Sequence, residues 1–155
     1  MKLAPQNIIA ALLGLFVVLQ LVPYGRDHTN PPVHQEPKWD SPKTRELAAR
    51  ACFDCHSNQT RWPWYSNIAP VSWLVQNDVE EGREKLNFSE FDRPQEEAEE
   101  AGEVIEEGEM PMPIYTFMHS EAVLSEVERQ QLIDGLTATL GGGGYENEKN
   151  EKNEH

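Results

Sequence analysis

Cysteine is scarce in this chain, two residues among 155. A structural zinc centre needs four ligands and usually a second paired cluster. No further cysteine remains, and His28, His34, His119 and His155 are scattered, so that class lacks its ligands. Basic residues are also few, 13 Lys and Arg against 27 Asp and Glu, for a formal net charge of −14. This deficit counts against nucleic acid as a partner, because such binding rests on neutralising phosphates. Alternation of apolar and polar residues is missing throughout, as is any internal repeat, which points to an all-α fold. Missing too is a small-x-small cleavage site around Leu21-Val22-Pro23-Tyr24-Gly25.

What the chain does have is the arrangement of its two cysteines. Cys52 and Cys55 stand three apart in Ala51-Cys52-Phe53-Asp54-Cys55-His56, and a histidine follows the second directly. This is the attachment signature of a c-type haem. Two thiols on one helical turn can each add across a haem vinyl group, and the next imidazole then reaches the iron as proximal ligand. One residue more or less would turn a sulphur or the imidazole away. A thioredoxin-like dithiol would want a preceding strand and a βαβ pattern, neither of which is present. A disulfide between Cys52 and Cys55 would close a very small loop and constrain little.

The chain divides into four parts. Residues 1–23 carry an apolar core from Ile8 to Leu19 behind Lys2 and the amino terminus, and read as an uncleaved signal anchor, a transmembrane helix. A removed signal peptide is the competing reading. Residues 24–40, with Asn30-Pro31-Pro32 and Glu36-Pro37, read as an extended spacer that lifts the domain off the membrane or wraps its surface. Residues 41–140 are the single domain, with a core small enough that a buried haem would supply part of its apolar surface. Residues 141–155 are a glycine run and a polar Glu-Asn-Lys tail expected to be disordered.

Within the domain, Ser41 as N-cap and Pro42 at the first position open a helix that carries Cys52 and Cys55 at its carboxyl end. Arg61 to Pro70 is a Pro-punctuated loop whose Trp62, Trp64 and Tyr65, together with Tyr115, are read as packing against haem, with ordinary core packing as the competing account. Arg61 reads as a surface arginine, or else as a partner for a haem propionate. Pro70 opens a second helix with the stripe Val71, Leu74, Val75, Val79, and Pro94 a third in which Ala98, Ala101, Gly102 and Ile105 share a narrow face. About half of the acidic residues lie between Glu80 and Glu109, as a solvated face or as one that steers a basic-faced redox partner. In Glu109-Met110-Pro111-Met112-Pro113-Ile114-Tyr115 the prolines forbid helix and set an extended turn able to present a side chain to a metal. A thioether is a soft ligand for iron, so Met110 is the first candidate for the distal position, with Met112, His119 and Met118 as rivals. Ser125 to Glu128 is a capping box that opens a last helix with the stripe Leu132, Ile133, Leu136, Leu140.

A helix running into Cys52-x-x-Cys55-His56, a distal Met110-Pro111 and a Leu124-Ser125-x-x-Glu128 terminal helix together resemble class I cytochromes c. More narrowly, Asn30-Pro31-Pro32, Cys52 to Asn58, Trp62-Pro63-Trp64-Tyr65, Pro70-Val71-Ser72-Trp73, Leu86-Asn87-Phe88-Ser89 and Met110-Pro111 with Tyr115 and His119 resemble the small bacterial haem-binding domain family, over about Tyr24 to Leu140. The resemblance implies one covalent haem c on an all-α domain behind a single membrane segment, with Cys52 and Cys55 carrying the haem, His56 proximal and Met110 distal. The chain departs from the resemblance at Met112, where such sequences often read Met-Pro-Pro. The expected protein is a non-enzymatic, membrane-tethered monohaem cytochrome on the outer face of a bacterial cytoplasmic membrane, carrying one electron at a time. A haem-based redox or gas sensor with a labile distal ligand is the alternative. A peroxidase is weaker, since a second haem motif and an evident distal His–Arg pair are both missing.

Overall fold

The computed structural model describes residues 4–141. Seven α-helices occur among them: α1 Pro5–Leu19, α2 Pro42–Ala51, α3 Phe53–His56, α4 Val71–Lys85, α5 Ala101–Glu106, α6 Pro113–Met118 and α7 Glu126–Leu140. Short 3₁₀ turns stand at Trp64–Asn67 and Ser120–Ala122. Among the described residues no strand forms, and the nearest thing to one is an isolated bridge between Gln35 and Glu90. The fold is all-α.

Local chemistry explains most of the boundaries. The Ser41 side chain accepts from the Thr44 N–H, and Pro42 occupies the first turn of α2, where its missing N–H costs nothing. Both halves of the Ser125–Glu128 capping box are formed at α7. Pro113 begins α6, which corrects the expectation of an extended turn through residue 115: proline is excluded from a helix interior but is at home in the first turn. The helix expected from Pro94 is confined to Ala101–Glu106. Glu96, Glu99, Glu100 and Glu103 would repel one another at helical spacing, which disfavours the earlier turns. The first helix is also interrupted, because Cys52 leaves helical geometry at φ −123° and α3 restarts from it.

The core is built where α2, α5 and α7 meet. Leu47, Leu132, Leu136 and Phe88 are almost fully buried, and Phe53, Phe88 and Phe91 stack in sequence with ring centroids 5.6 and 6.1 Å apart. Trp39 lies against Phe88 at 5.2 Å. Helix α7 approaches α2 so closely that a Cβ on Gly135 would overlap the Thr44 side chain. The small-residue face of Ala98, Ala101, Gly102 and Ile105 is buried as expected.

Of the two roles read for residues 24–40, the wrapping one is seen. Residues 24–40 wrap the domain: the N–H groups of His34 and Gln35 both reach the Ser89 carbonyl, the Phe91 N–H reaches the Gln35 carbonyl, and Asn58 donates to the Pro32 carbonyl. The apolar amino-terminal segment forms a helix of 15 residues, none of them buried. At 1.5 Å per residue α1 is about 22 Å long, and no helix among the described residues is long and apolar enough to cross a membrane. Within the segment 1–23 expected as a transmembrane helix, α1 is opened by Pro5 and yields to a turn at Gln20 before Pro23. Residues 142–155, expected as a disordered tail, lie outside the described residues.

Candidate haem site

His56 ends α3, and its ring is held by α4. Its Nδ1 lies 2.9 Å from the Gly82 carbonyl and 3.1 Å from the Leu86 carbonyl. Carbonyl oxygens only accept, so Nδ1 carries the proton and the Nε2 lone pair is left free, the tautomer that a metal-binding imidazole needs. Burial lowers the affinity of the ring for a second proton, although both carbonyls oppose the shift. A neutral imidazole is thus aimed by two backbone oxygens.

Gly82 makes that hold possible. A Cβ there would stand 2.7 Å from the Cys55 carbonyl oxygen and 3.1 Å from the Cys55 Cβ, so only glycine lets α4 lie this close to α3. The Phe88 N–H then bonds the His56 carbonyl at 2.8 Å, and Arg83 reaches the Ser57 carbonyl at 2.9 Å.

Cys52, Cys55 and His56 sit at positions i, i+3 and i+4 and line one cavity of about 410 Å³, a size suited to a cofactor. Apolar walls come from Ala51, Leu86, Phe88, Val104, Ile105 and Leu136, and Met110 and Met112 line the same space. Both cysteines are free, and burial pushes each thiol up to about 12, with the negative charges around Cys55 adding to its shift. Reactive dithiols depend on depressed thiol pKa values, so this environment argues against thioredoxin-like exchange. Among the described residues no three His, Cys, Asp or Glu side chains gather as a metal-ion site would require. Imidazole, thiols, thioethers and apolar walls around one cavity fit an iron porphyrin.

A family model described as "Haem-binding domain" matches residues 14–138. The chain belongs to the haem-binding domain family. No curated protein and no solved structure matches it.

The haem-binding domain gathers part of the expected set and leaves the rest elsewhere. Cys52, Cys55, His56, Met110, Met112 and Tyr115 border the cavity. Met110 also packs against the core cluster, and its N–H bonds the Val104 carbonyl at 3.1 Å. Trp62, Trp64 and Tyr65 are not among the cavity walls: Trp62 stacks on His28 at 4.6 Å, Trp64 is 73 % exposed, and the Tyr65 hydroxyl meets His119 Nε2 at 3.3 Å. His119 also stands apart, since its Nδ1 is engaged by the Tyr115 carbonyl at 3.0 Å, and Met118 is exposed. The cavity rim carries Asp78, Glu81, Glu97, Glu100 and Glu109, with Lys85 paired to Glu97 at 3.3 Å.

Two functional positions escaped the sequence reading. Gly82 was legible only as a lone glycine inside a helix, a pattern that often marks a close backbone approach. Asp54, inside the motif, is buried and holds Arg61 through two side-chain contacts of 3.1 Å and the Arg61 N–H at 3.0 Å. Arg61 is therefore the partner of this carboxylate. Tyr115 donates to the same carboxylate at 2.7 Å, and burial, reinforced by that bond, raises the phenol pKa and keeps it protonated.

Proposed function

We propose that the protein is a monohaem c-type cytochrome that carries one electron at a time, tethered by its amino-terminal segment to the outer face of the bacterial cytoplasmic membrane. The observation that carries this reading is the meeting, in one apolar cavity, of Cys52, Cys55 and a His56 with its Nδ1 committed to two carbonyls, with Met110 and Met112. A bound haem supplies a one-electron iron couple. Cys52 and Cys55 would hold it through thioethers, and His56 Nε2 and the Met110 sulphur would serve as ligands to the iron, a thioether favouring a raised potential. With two protein ligands the iron would offer no open site to a substrate, so the reading is of a carrier and not of an enzyme.

The tether rests on α1, which is apolar and has no buried residue. The acidic rim favours a basic-faced redox partner through electrostatic attraction. Visible spectroscopy of the purified protein is the test. Low-spin spectra in both oxidation states, a far-red sulphur-to-iron band in the ferric form and pigment that resists acid-acetone extraction are expected. A five-coordinate reduced form would overturn the carrier.

The presence of two thioethers on the cavity wall also favours a second reading, a redox or gas sensor whose distal ligand leaves on reduction. Carbon monoxide uptake by the reduced protein would select it.

A further inference from the structure

Residues 3–25, 62–77 and 110–118 of this strongly acidic chain carry no Asp, Glu, Lys or Arg. The fold brings them together. The Ala69 N–H donates to the Gln20 side-chain oxygen Oε1 at 3.0 Å, and Gln20 Nε2 donates to the Ala69 carbonyl at 2.9 Å, so the end of α1 is clamped to a fully buried residue just before α4. Gly25, at φ +76°, lies on the Ser72 backbone of α4 so tightly that a Cβ would overlap it. The third stretch joins through rings: Trp64 meets Tyr65 at 5.8 Å, Tyr65 meets His119 at 6.2 Å, and His119 stacks on Tyr115 of α6 at 4.2 Å.

The side chains these stretches present are apolar and exposed. Val71 and Leu74, expected as core, lie outside; the buried positions of α4 are Ser72, Val79 and Gly82. Leu74 is 64 % exposed and Phe117 82 %, with Ile114 and Trp64 nearly as open. Exposed apolar surface of this extent marks a contact surface. Tyr24 with Glu80 forms part of its border, and charge resumes in α4 at Asp78.

We infer that this uncharged face, built from Trp64, Val71, Leu74, Ile114 and Phe117 around the root of α1, rests in the lipid headgroup and upper acyl layer of the membrane. The inference builds on the tether reading above. Continuity with α1 favours lipid as the occupant, and the charge at the root of α1, Arg26, whose guanidinium donates to Gln20 Oε1 at 3.2 Å, suits the headgroup layer and not the acyl layer. Tryptophan at the rim suits the membrane interface, where an amphipathic ring has both an apolar and a wet side. The Gln20–Ala69 clamp then sets the domain at a defined angle, with this face against the bilayer. A redox partner would dock on the acidic rim instead.

The full-length haem-loaded chain, reconstituted in phosphatidylcholine vesicles that contain a diazirine-bearing phosphatidylcholine, tests this. After irradiation, lipid adducts are expected on peptides from 62–77 and 113–118 as well as from α1. The double variant Leu74→Glu, Phe117→Glu alters only exposed positions and should keep the parent visible spectrum while losing the adducts outside α1. Adducts confined to α1, or adducts outside α1 that persist in the double variant, would overturn the seated face and leave the tether standing. No adducts on α1 would overturn the tether reading and this inference with it.

Discussion

The Tyr115 hydroxyl donates a 2.7 Å hydrogen bond to Asp54, and this joins α6, directly after Met110 and Met112, to the turn between Cys52 and Cys55. The carboxylate is buried and shared with Arg61. The segment that carries Cys52 and Cys55 is thereby fastened to the one that carries Met110 and Met112.

Replacing Tyr115 with Phe keeps the ring that stacks on His119 and removes only the hydroxyl. A hydrogen bond to a charged acceptor contributes about 1.5–3 kcal/mol, so a loss of that order in urea unfolding is expected. The far-red band of the haem-loaded protein should weaken as well, because the distal segment is less firmly held. Unchanged stability and an unchanged band would show that the contact holds nothing.

Gly82→Ala places a methyl against the Cys55 carbonyl, at a contact of 2.7 Å that the backbone cannot tolerate. Overpacking of this kind costs about 1–3 kcal/mol. Because the Gly82 carbonyl also aims His56, haem retention should fall along with the midpoint of unfolding. Gly14→Ala, where nothing stands within 4 Å, serves as the control.

The two methionines separate by substitution. Met110→Leu should abolish the sulphur-to-iron band with little change in stability, since a leucine fills nearly the same volume. Met112→Leu should leave the band in place. The reverse result would transfer the distal role to Met112.

Glu128 provides a pH dependence outside the site. Bonds from the Ser125 N–H and from Arg50 hold its carboxyl down to about 2, whereas an unfolded glutamate titrates near 4.3. The folded pKa lies below the unfolded one, so the stabilisation is complete above the unfolded value and is lost as pH falls through the folded one. Thermal melts of Glu128→Gln should match a flatter acid limb between pH 5 and pH 2, on the order of the window set by those two values. The difference should change little in high salt, since both side chains of the pair are largely covered, at 29 and 27 % exposure.

Much of this protein was written in short-range chemistry. The Ser41 and Ser125 caps and the stripe of α7 depend on residues within a turn of one another, and each stands in the structure as the sequence implied. Tertiary structure decided the rest. Which part of α4 is buried follows from where Gly82 lets it meet Cys55, and so Val71 and Leu74 are left outside. Trp64 faces outward because Tyr65 and His119 pair behind it, and Asp54 finds Tyr115 sixty-one positions away. Such contacts depend on how helices cross, and no local pattern of residue types encodes the angle or depth of a crossing.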